Sequence, residues 1–575
     1  GLFANTDRKT NHLKQKLDEH LVGVAKHALK NAYNLPAFET ELPVATDINS
    51  LKKMSPKAYR WQDKAVDKIT KWRGPHQHEK YGFFAVNMAS TGCGKTFANA
   101  KIMRALSKDA DSLRFTLALG LRTLTLQTGD EYRERIGLEN DELAVLIGSS
   151  AVLELHNKQR QQLKELNTLN SGSESEECLL DEDIDFGCDV PEEGMATVLT
   201  NDGDRKFLYA PVLSCTIDHL MAATECVRGG RYILPSLRLM SADLVIDEID
   251  DFSGEDLVAI GRLIFFTGMM GRRVMISSAT IPPYLAEGYF KAYRDGWRLY
   301  AASRNAPNLI GCAWVDEFNT HVISNSANEV SNSIRDYREQ HGIFIDKRAR
   351  ELAKETAKRK VRIIDTQCII NQHKSLPVND ETTEQTKQQA YFDAMAQSAL
   401  SMHSQQYTLD VKTQLQVSFG VMRMANISPC VSLTHYLLTE FVCPADTEIR
   451  VMPYHSQQVL LLRSHQEQHL DAVLKRKEEN DEPPLAFSQP IIRQHLTNIS
   501  RNQSIKQVLF ILVATPVEEV GRDHDFDWAV IEPSSYRSIV QLAGRVRRHR
   551  AGEILSPNIS LMQHNLRGVI KAHQP

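Results

Sequence analysis

Ala89-Ser90-Thr91-Gly92-Cys93-Gly94-Lys95-Thr96 constrains this chain more than any other stretch. The apolar run Phe83-Phe84-Ala85-Val86 precedes it, and the helix-compatible stretch Phe97-Ala98-Asn99-Ala100-Lys101-Ile102-Met103 follows. A strand, a glycine-bearing turn ending in Gly-Lys-Thr and then a helix is the plan of a phosphate-binding loop. Thr91, Gly92, Cys93 and Gly94 are small enough for backbone N–H groups to close around a polyphosphate. The helix that starts there adds its positive end. Lys95 has the reach for β- and γ-phosphates, and Thr96 can place a hydroxyl on Mg²⁺. The first position is Ala89 where the general pattern has glycine. The competing reading is a strand-to-helix turn whose glycines only ease packing.

Size and charge bound the rest. The 575 residues allow several domains, each large enough for its own core. Hydrophobic residues make up 42% and charged residues 24%, ordinary for a soluble globular protein, and the net charge is −4. A nucleic-acid site must then be a local basic groove rather than a property of the whole chain. Nine cysteines without a Cys-x-x-Cys pair argue against structural zinc and against a disulfide framework. They fit a reducing, cytoplasmic setting. The N-terminus is too polar for a secretory signal, and no apolar run approaches the roughly 18 residues of a membrane span. The chain opens without Met, as a piece of a longer protein or a processed terminus would.

Leu13, Leu17, Leu21, Val24 and Ala28 recur at helical spacing, so residues 10–34 read as an amphipathic helix that Pro36 and Pro43 end. No two of its histidines, His12, His20 and His27, are three or four apart, which argues against a metal site. Residues 1–50 then form a helical N-terminal segment and linker. From about 80 to 300, short apolar runs alternate with helical stretches, the signature of a parallel α/β sheet. The expected strands are Phe83 to Val86, Phe115 to Leu119, Leu208 to Val212, Leu244 to Ile246 and Val274 to Ile276. Residues 171–194 are a strongly acidic insertion within this first domain, 51–305. A second α/β set, 306–575, opens with a basic helical region around Lys347, Arg348, Arg350 and Lys354. Its strands are expected at Gln416 to Phe419, Glu448 to Met452, Val508 to Val513 and Trp528 to Ile531, with residues 476–490 as a surface loop.

Asp247-Glu248-Ile249-Asp250 follows the strand Leu244-Val245-Ile246, where open α/β sheets bind ligands. Asp247 suits Mg²⁺ held through its water shell, and Glu248 suits the positioning and deprotonation of water. An acidic helix start is the plainer reading. Ser277-Ser278-Ala279-Thr280 follows another strand and gains weight from that order. Near the C-terminus, Gln541-Leu542-Ala543-Gly544-Arg545-Val546-Arg547-Arg548 spaces Gln541, Arg545 and Arg548 onto one helical face. The guanidinium forks of Arg545 and Arg548 suit charge developing on a transferred phosphoryl group. Upstream, Gly521 allows a tight turn and Asp523 supplies a polar link.

This order resembles superfamily 2 helicases, which use two tandem RecA-like domains with parallel sheets, over roughly residues 58–550. In that family a glutamine before the phosphate loop reads the adenine edge, and Gln62 in Tyr59-Arg60-Trp61-Gln62 matches it. The stretches holding Arg122 and Thr123, Thr216, Ser278 and Thr280, and His455 resemble its strand-contact motifs. Hydroxyl-to-phosphate contacts of that kind hold a strand without reading bases. Together with Phe3-Ala4-Asn5-Thr6-Asp7-Arg8-Lys9-Thr10, these motifs look like the Cas-three helicase–nuclease of type I CRISPR systems, most like its type I-F form.

The resemblance implies an ATP- and Mg²⁺-dependent motor on single-stranded DNA, loaded by an RNA-guided surveillance complex. The His-Asp nuclease of that family is not carried over. The only His-Asp dipeptide, His524-Asp525, falls inside the helicase motif after Gly521. Further nuclease and accessory domains are expected outside this chain. A double-strand translocase, an RNA helicase or a nucleotide-gated binding module would use the same core motifs.

Overall fold

The computed structural model describes residues 2–7, 10, 12–74, 80–120, 122–146, 199, 202–225, 232–249, 252, 254–326, 330–373, 381–476, 484–519, 523–550 and 552–571. The acidic insertion at 171–194, Asp250 and Gly521 lie outside them. The chain divides into two compact units, Gly1–Ala353 and Lys354–Pro575.

The first unit opens with a hairpin of β1 (Phe3–Thr6) and β2 (Leu13–Lys16), followed by a helix over Leu17–Thr40. The helix expected at 10–34 is therefore displaced toward the C-terminus. Pro36 lies inside it rather than ending it. The bond lost at Pro36 is offset by the packing of Phe38 and Leu42 against Leu199, Leu208, Tyr209 and Leu237.

The main sheet of this unit holds β3 (Gly82–Asn87), β4 (Phe115–Leu119), β5 (Leu143–Leu146), β6 (Val212–Thr216), β7 (Asp243–Asp247), β8 (Val274–Ser277), β9 (Leu309–Val315) and β10 (Thr320–Ser326). Their order is β10-β9-β3-β8-β7-β4-β6-β5, and all are parallel except β10. Every residue of β3 is buried, as a strand covered on both faces requires. On one side Trp61, Ala65 and Ile69 from the helix Trp61–Arg73 join Ala98, Ile102 and Met103 from the helix Lys95–Leu106. On the other lie Ile260, Leu263, Phe290, Tyr293 and Trp297 from the helices Glu255–Met269 and Pro283–Arg304.

Two boundaries differ from expectation. The strand expected at Leu208 to Val212 begins at Val212 instead, because Leu208 and Tyr209 close the helix Asp202–Tyr209 and Pro211 breaks it. The first domain does not end near residue 305. β9 pairs in parallel with β3 from Gly82↔Ile310 to Asn87↔Val315, and β10 folds back on β9. The helix Val330–Leu352 sends Tyr337 and Phe344 into the same core. Local periodicity marks strands but not the sheet each one joins.

The second unit holds β11 (Val361–Ile364), β12 (Thr408–Asp410), β13 (Leu415–Arg423), β14 (Thr447–Tyr454), β15 (Gln507–Ala514), β16 (Trp528–Ile531) and β17 (Ile559–Met562). The order is β11-β17-β16-β13-β15-β14, all parallel, with β12 antiparallel beside β13. Residues 484–490 are not a surface loop. Leu485–Ser488 form a short helical turn that buries Ala486 and Phe487, and the helix Pro490–Ile499 begins at once. Both units are RecA-like α/β layers.

Candidate nucleotide site

Strand register assembles the candidate site in the first unit. Asn87 on β3 and Asp247 on β7 both pair with Ser277 on the intervening β8. Three strands therefore end level, and the loops that leave them share one rim. The Asn87 amide donates to Asn99 Oδ1 at 2.7 Å, and the Asn99 amide donates to Ser277 Oγ at 3.2 Å. This ties the first turn of the loop's helix to the neighbouring strand end.

The loop itself follows the expected plan. Gly92 and Gly94 take φ of 83° and 78°, the left-handed backbone that glycine adopts without cost. The helix Lys95–Leu106 starts at Lys95. The Lys95 ammonium, with its side chain 7% exposed, lies 3.2 Å from Glu248 Oε1. Thr91 and Gly92 are exposed, while Cys93, Gly94 and Thr96 are half-buried. The Tyr132 hydroxyl donates to the Thr96 carbonyl at 3.4 Å.

Asp247 is buried at the end of β7 and accepts the Glu248 N–H at 3.0 Å. Burial, then the charge of Glu248, push its carboxyl up to about 6, against the opposing pull of Lys95 and Ser277. Glu248 holds φ of 47°, a backbone strain of the kind that concentrates at working sites. Two carboxylates and a threonine hydroxyl are a hard-oxygen donor set, and the buried ammonium beside them suits a phosphate. That set fits Mg²⁺ with a nucleotide triphosphate.

Gln62 is also brought to the loop. Its amide donates to the Gly94 carbonyl at 3.0 Å and its Oε1 accepts the Ser55 hydroxyl at 2.9 Å. The Trp61 indole donates to the Cys93 carbonyl at 3.2 Å. Lys101 anchors this edge through Asp63 at 2.6 Å and Ser55 at 2.9 Å.

Sequence reasoning missed Glu317 and Arg348. Glu317 accepts the Ser90 N–H at 3.0 Å and the Ser90 hydroxyl at 2.5 Å, across 227 positions of chain. Arg348 donates to Glu317 Oε2 at 2.9 Å and to Ser90 Oγ at 3.0 Å. No local signal marks either residue, since Asp316-Glu317 reads as a polar turn and Arg348 as one of several helix cations.

The second unit carries the remaining candidates. Gln541 lies on the helix Tyr536–Ala543, which ends before Arg545. Gln541, Arg545 and Arg548 therefore do not share a helical face. Val546 bridges Phe526, and Arg547 takes φ of 47°, so the backbone turns away from helix after Gly544. Arg545 is buried and donates to the carbonyls of Glu519 at 2.8 Å and Glu518 at 3.4 Å. Arg548 pairs with Asp523 at 2.8 Å, and His549 Nε2 lies 2.8 Å from the same carboxylate oxygen.

His524-Asp525 is part of a buried charge network. His524 stands 2.6 Å from Glu518 and 3.1 Å from Asp471, while Asp525 pairs with Arg550 at 2.7 Å. Nearby, Arg423 pairs with Glu519 at 2.7 Å and also donates to the Ser538 hydroxyl. Among the described residues no group of three or more His, Cys, Asp or Glu side chains could hold a metal ion.

The expected strand contacts are placed unevenly. Thr216 and Ser278 are buried. The Ser278 N–H donates to the Asn87 carbonyl at 3.0 Å, and the Thr280 N–H reaches Ser278 Oγ at 3.4 Å. Thr280 and His455 are half-buried, and the His455 N–H donates to Gln458 Oε1 at 3.2 Å. Arg122 and Thr123 open the helix Arg122–Glu131, and their side chains lie outside the described residues.

Known proteins share this pattern. Residues 416–551 match the family described as CRISPR-associated nuclease/helicase Cas3, C-terminal. The chain is 40% identical over 575 residues to a CRISPR-associated nuclease/helicase Cas3 of subtype I-F/YPEST from Pseudomonas aeruginosa, covering 99% of this chain and 50% of that protein. Its counterpart from Pectobacterium atrosepticum is 42% identical over 584 aligned positions, with the same coverage. The chain thus spans about half the length of the curated relatives it matches. Among solved structures, T. fusca Cas3-AMPPNP superposes with a TM-score of 0.55 at 16% identity, over 95% of this chain and 50% of that one. T. fusca Cas3-ATP gives 0.54 at the same identity, a likeness of fold. Over 99% of its length, then, the chain is similar to about half of the CRISPR-associated Cas3 nuclease/helicases of subtype I-F/YPEST.

Proposed function

We propose that this chain is an ATP-dependent motor that moves along single-stranded DNA, the helicase portion of a CRISPR-associated nuclease/helicase. The observation that carries the reading is the meeting of Lys95, Asp247 and Glu248 at three level strand ends, beside a loop whose glycines hold left-handed backbone. The names of relatives support the CRISPR setting, and nucleotide complexes of T. fusca Cas3 support the choice of ATP. An RNA-guided surveillance complex is the proposed loader.

Lys95 and the loop N–H groups would hold the β- and γ-phosphates. Thr96 and Asp247 would hold Mg²⁺, which when bound neutralises phosphate oxygens. Lys95 and Glu248 pair with each other at 3.2 Å in this structure. Phosphate competes with Glu248 for Lys95, which leaves Glu248 to orient a water and accept its proton. Gln62 would read adenine at the edge where it already bonds the loop. Gln541, Arg545 and Arg548 are the proposed catalytic residues of the second unit, where Asp523 pairs with Arg548.

DNA-stimulated phosphate release tests this. Lys95→Ala is expected to abolish turnover while single-stranded DNA binding, read by fluorescence anisotropy, survives. Turnover near the wild-type rate in that variant removes the phosphate-loop assignment. Duplex and RNA substrates that stimulate more strongly than single-stranded DNA would shift the substrate class.

A further inference from the structure

The entry to the phosphate loop is held by a charge cluster from the far end of the first unit. The Glu317 carboxylate accepts both the N–H and the hydroxyl of Ser90, as a phosphate oxygen would. Asp316 beside it is buried, and its Oδ1 accepts the N–H groups of Phe318 at 2.8 Å and Asn319 at 2.6 Å. The fold thus sets two carboxylates against a loop that would receive a polyanion. Buried charges are little screened by salt, so their repulsion of a triphosphate would persist in solution.

Arg348 is the counter-charge. Its guanidinium reaches Glu317 Oε2 at 2.9 Å, Asp316 Oδ2 at 3.2 Å and Ser90 Oγ at 3.0 Å. The planar fork of arginine can serve three partners at once, which a lysine ammonium on a flexible stem does poorly. Arg348 and Ser90 hold the Glu317 carboxyl below its ordinary range despite burial, so the carboxylate stays charged and the pair intact. Arg348 sits on the helix Val330–Leu352, the last helix before the chain enters the second unit at Lys354.

We propose that Glu317 and Arg348 are positioning residues for nucleotide binding: Glu317 fixes the loop through Ser90, and Arg348 cancels the negative charge this arrangement brings to the phosphate site. The inference rests on the nucleotide reading above. Neither side chain takes part in phosphoryl transfer, so the effect falls on affinity rather than on the chemical step.

The test measures DNA-stimulated phosphate release by the full chain over a range of ATP concentrations. Arg348→Ala is expected to raise the KM for ATP by about tenfold or more, with kcat within about threefold of wild type. Adding Glu317→Gln to Arg348→Ala removes one of the exposed charges and is expected to recover most of that loss. Arg348→Lys keeps the charge but loses the fork, and is expected to raise KM by about threefold. It decides the matter if Arg348→Ala does not fold. A wild-type KM in the single variants overturns the proposal, and so does a double variant no better than Arg348→Ala. Lys95→Ala serves as the separate control. If it keeps turnover, the nucleotide reading itself fails; if it is inactive while Arg348 variants keep a wild-type KM, only the positioning role fails.

Discussion

His524 shows how a single residue can carry a charge inside a core. Burial alone would keep its imidazole neutral, yet Glu518 at 2.6 Å and Asp471 at 3.1 Å outweigh burial and raise its pKa above the ordinary 6.5. The Phe526 ring packs edge-on against it. A histidine raised in the folded state contributes stability that is fully present below its unfolded value. That contribution is lost as pH rises through the folded value. The second unit should therefore lose stability on moving from a pH below the ordinary 6.5 to one above the raised folded value. His524→Gln should be less stable than wild type at the lower pH, with the gap closing at the higher one. Denaturant midpoints measured at both pH values check this, and an unchanged gap would rule it out. Gly94 makes a second residue-scale case. A Cβ there would meet the Gln62 amide at 2.8 Å, on a backbone with φ of 78°. Gly94→Ala should cost about 1 kcal/mol from backbone strain alone and weaken nucleotide binding further by displacing Gln62. Titration with a fluorescent ATP analogue reads the second effect.

Helix pairing in the first unit depends on two glycines. The helices Glu255–Met269 and Pro283–Arg304 cross at Gly268 and Gly296, where backbone meets backbone. A Cβ on Gly296 would overlap the Phe265 carbonyl oxygen, and one on Gly268 would lie 2.6 Å from the Tyr293 carbonyl oxygen. Neither neighbour is a flexible side chain that could yield. Gly296→Ala should destabilise the first unit by about 1–3 kcal/mol through overpacking, read as a lower thermal midpoint. In the second unit Gly420, within β13, is covered by the Trp528 ring, which a Cβ would overlap. These elements were only partly legible in sequence. Apolar runs announced β3, β7, β8, β15 and β16 because parallel strands buried on both faces need an unbroken apolar string. The hairpin of β1 and β2 and the partly exposed strand β10 were missed, since half-exposed strands carry no such string.

The two units have separate cores and separate sheets, joined by chain near Ala353 and Lys354. Calorimetry should accordingly show two unfolding transitions. Gly296→Ala should lower one and Gly420→Ala the other, whereas a single transition shifted by both would contradict independent units.

What the sequence determined by itself was the chemistry of short segments. Gly-Lys-Thr after an apolar strand, and Asp-Glu after another, name their partners because local backbone geometry and residue type suffice. The tertiary structure alone decided which distant segments meet. Strand register brought Lys95 within 3.2 Å of Glu248, β9 joined the first sheet through its pairing with β3, and a turn after Gly544 took Arg545 off its expected helical face. Glu317 and Arg348 became visible only then, because a contact across 227 positions leaves no periodic trace along the chain. It exists only once a parallel sheet sets the two ends of the unit side by side.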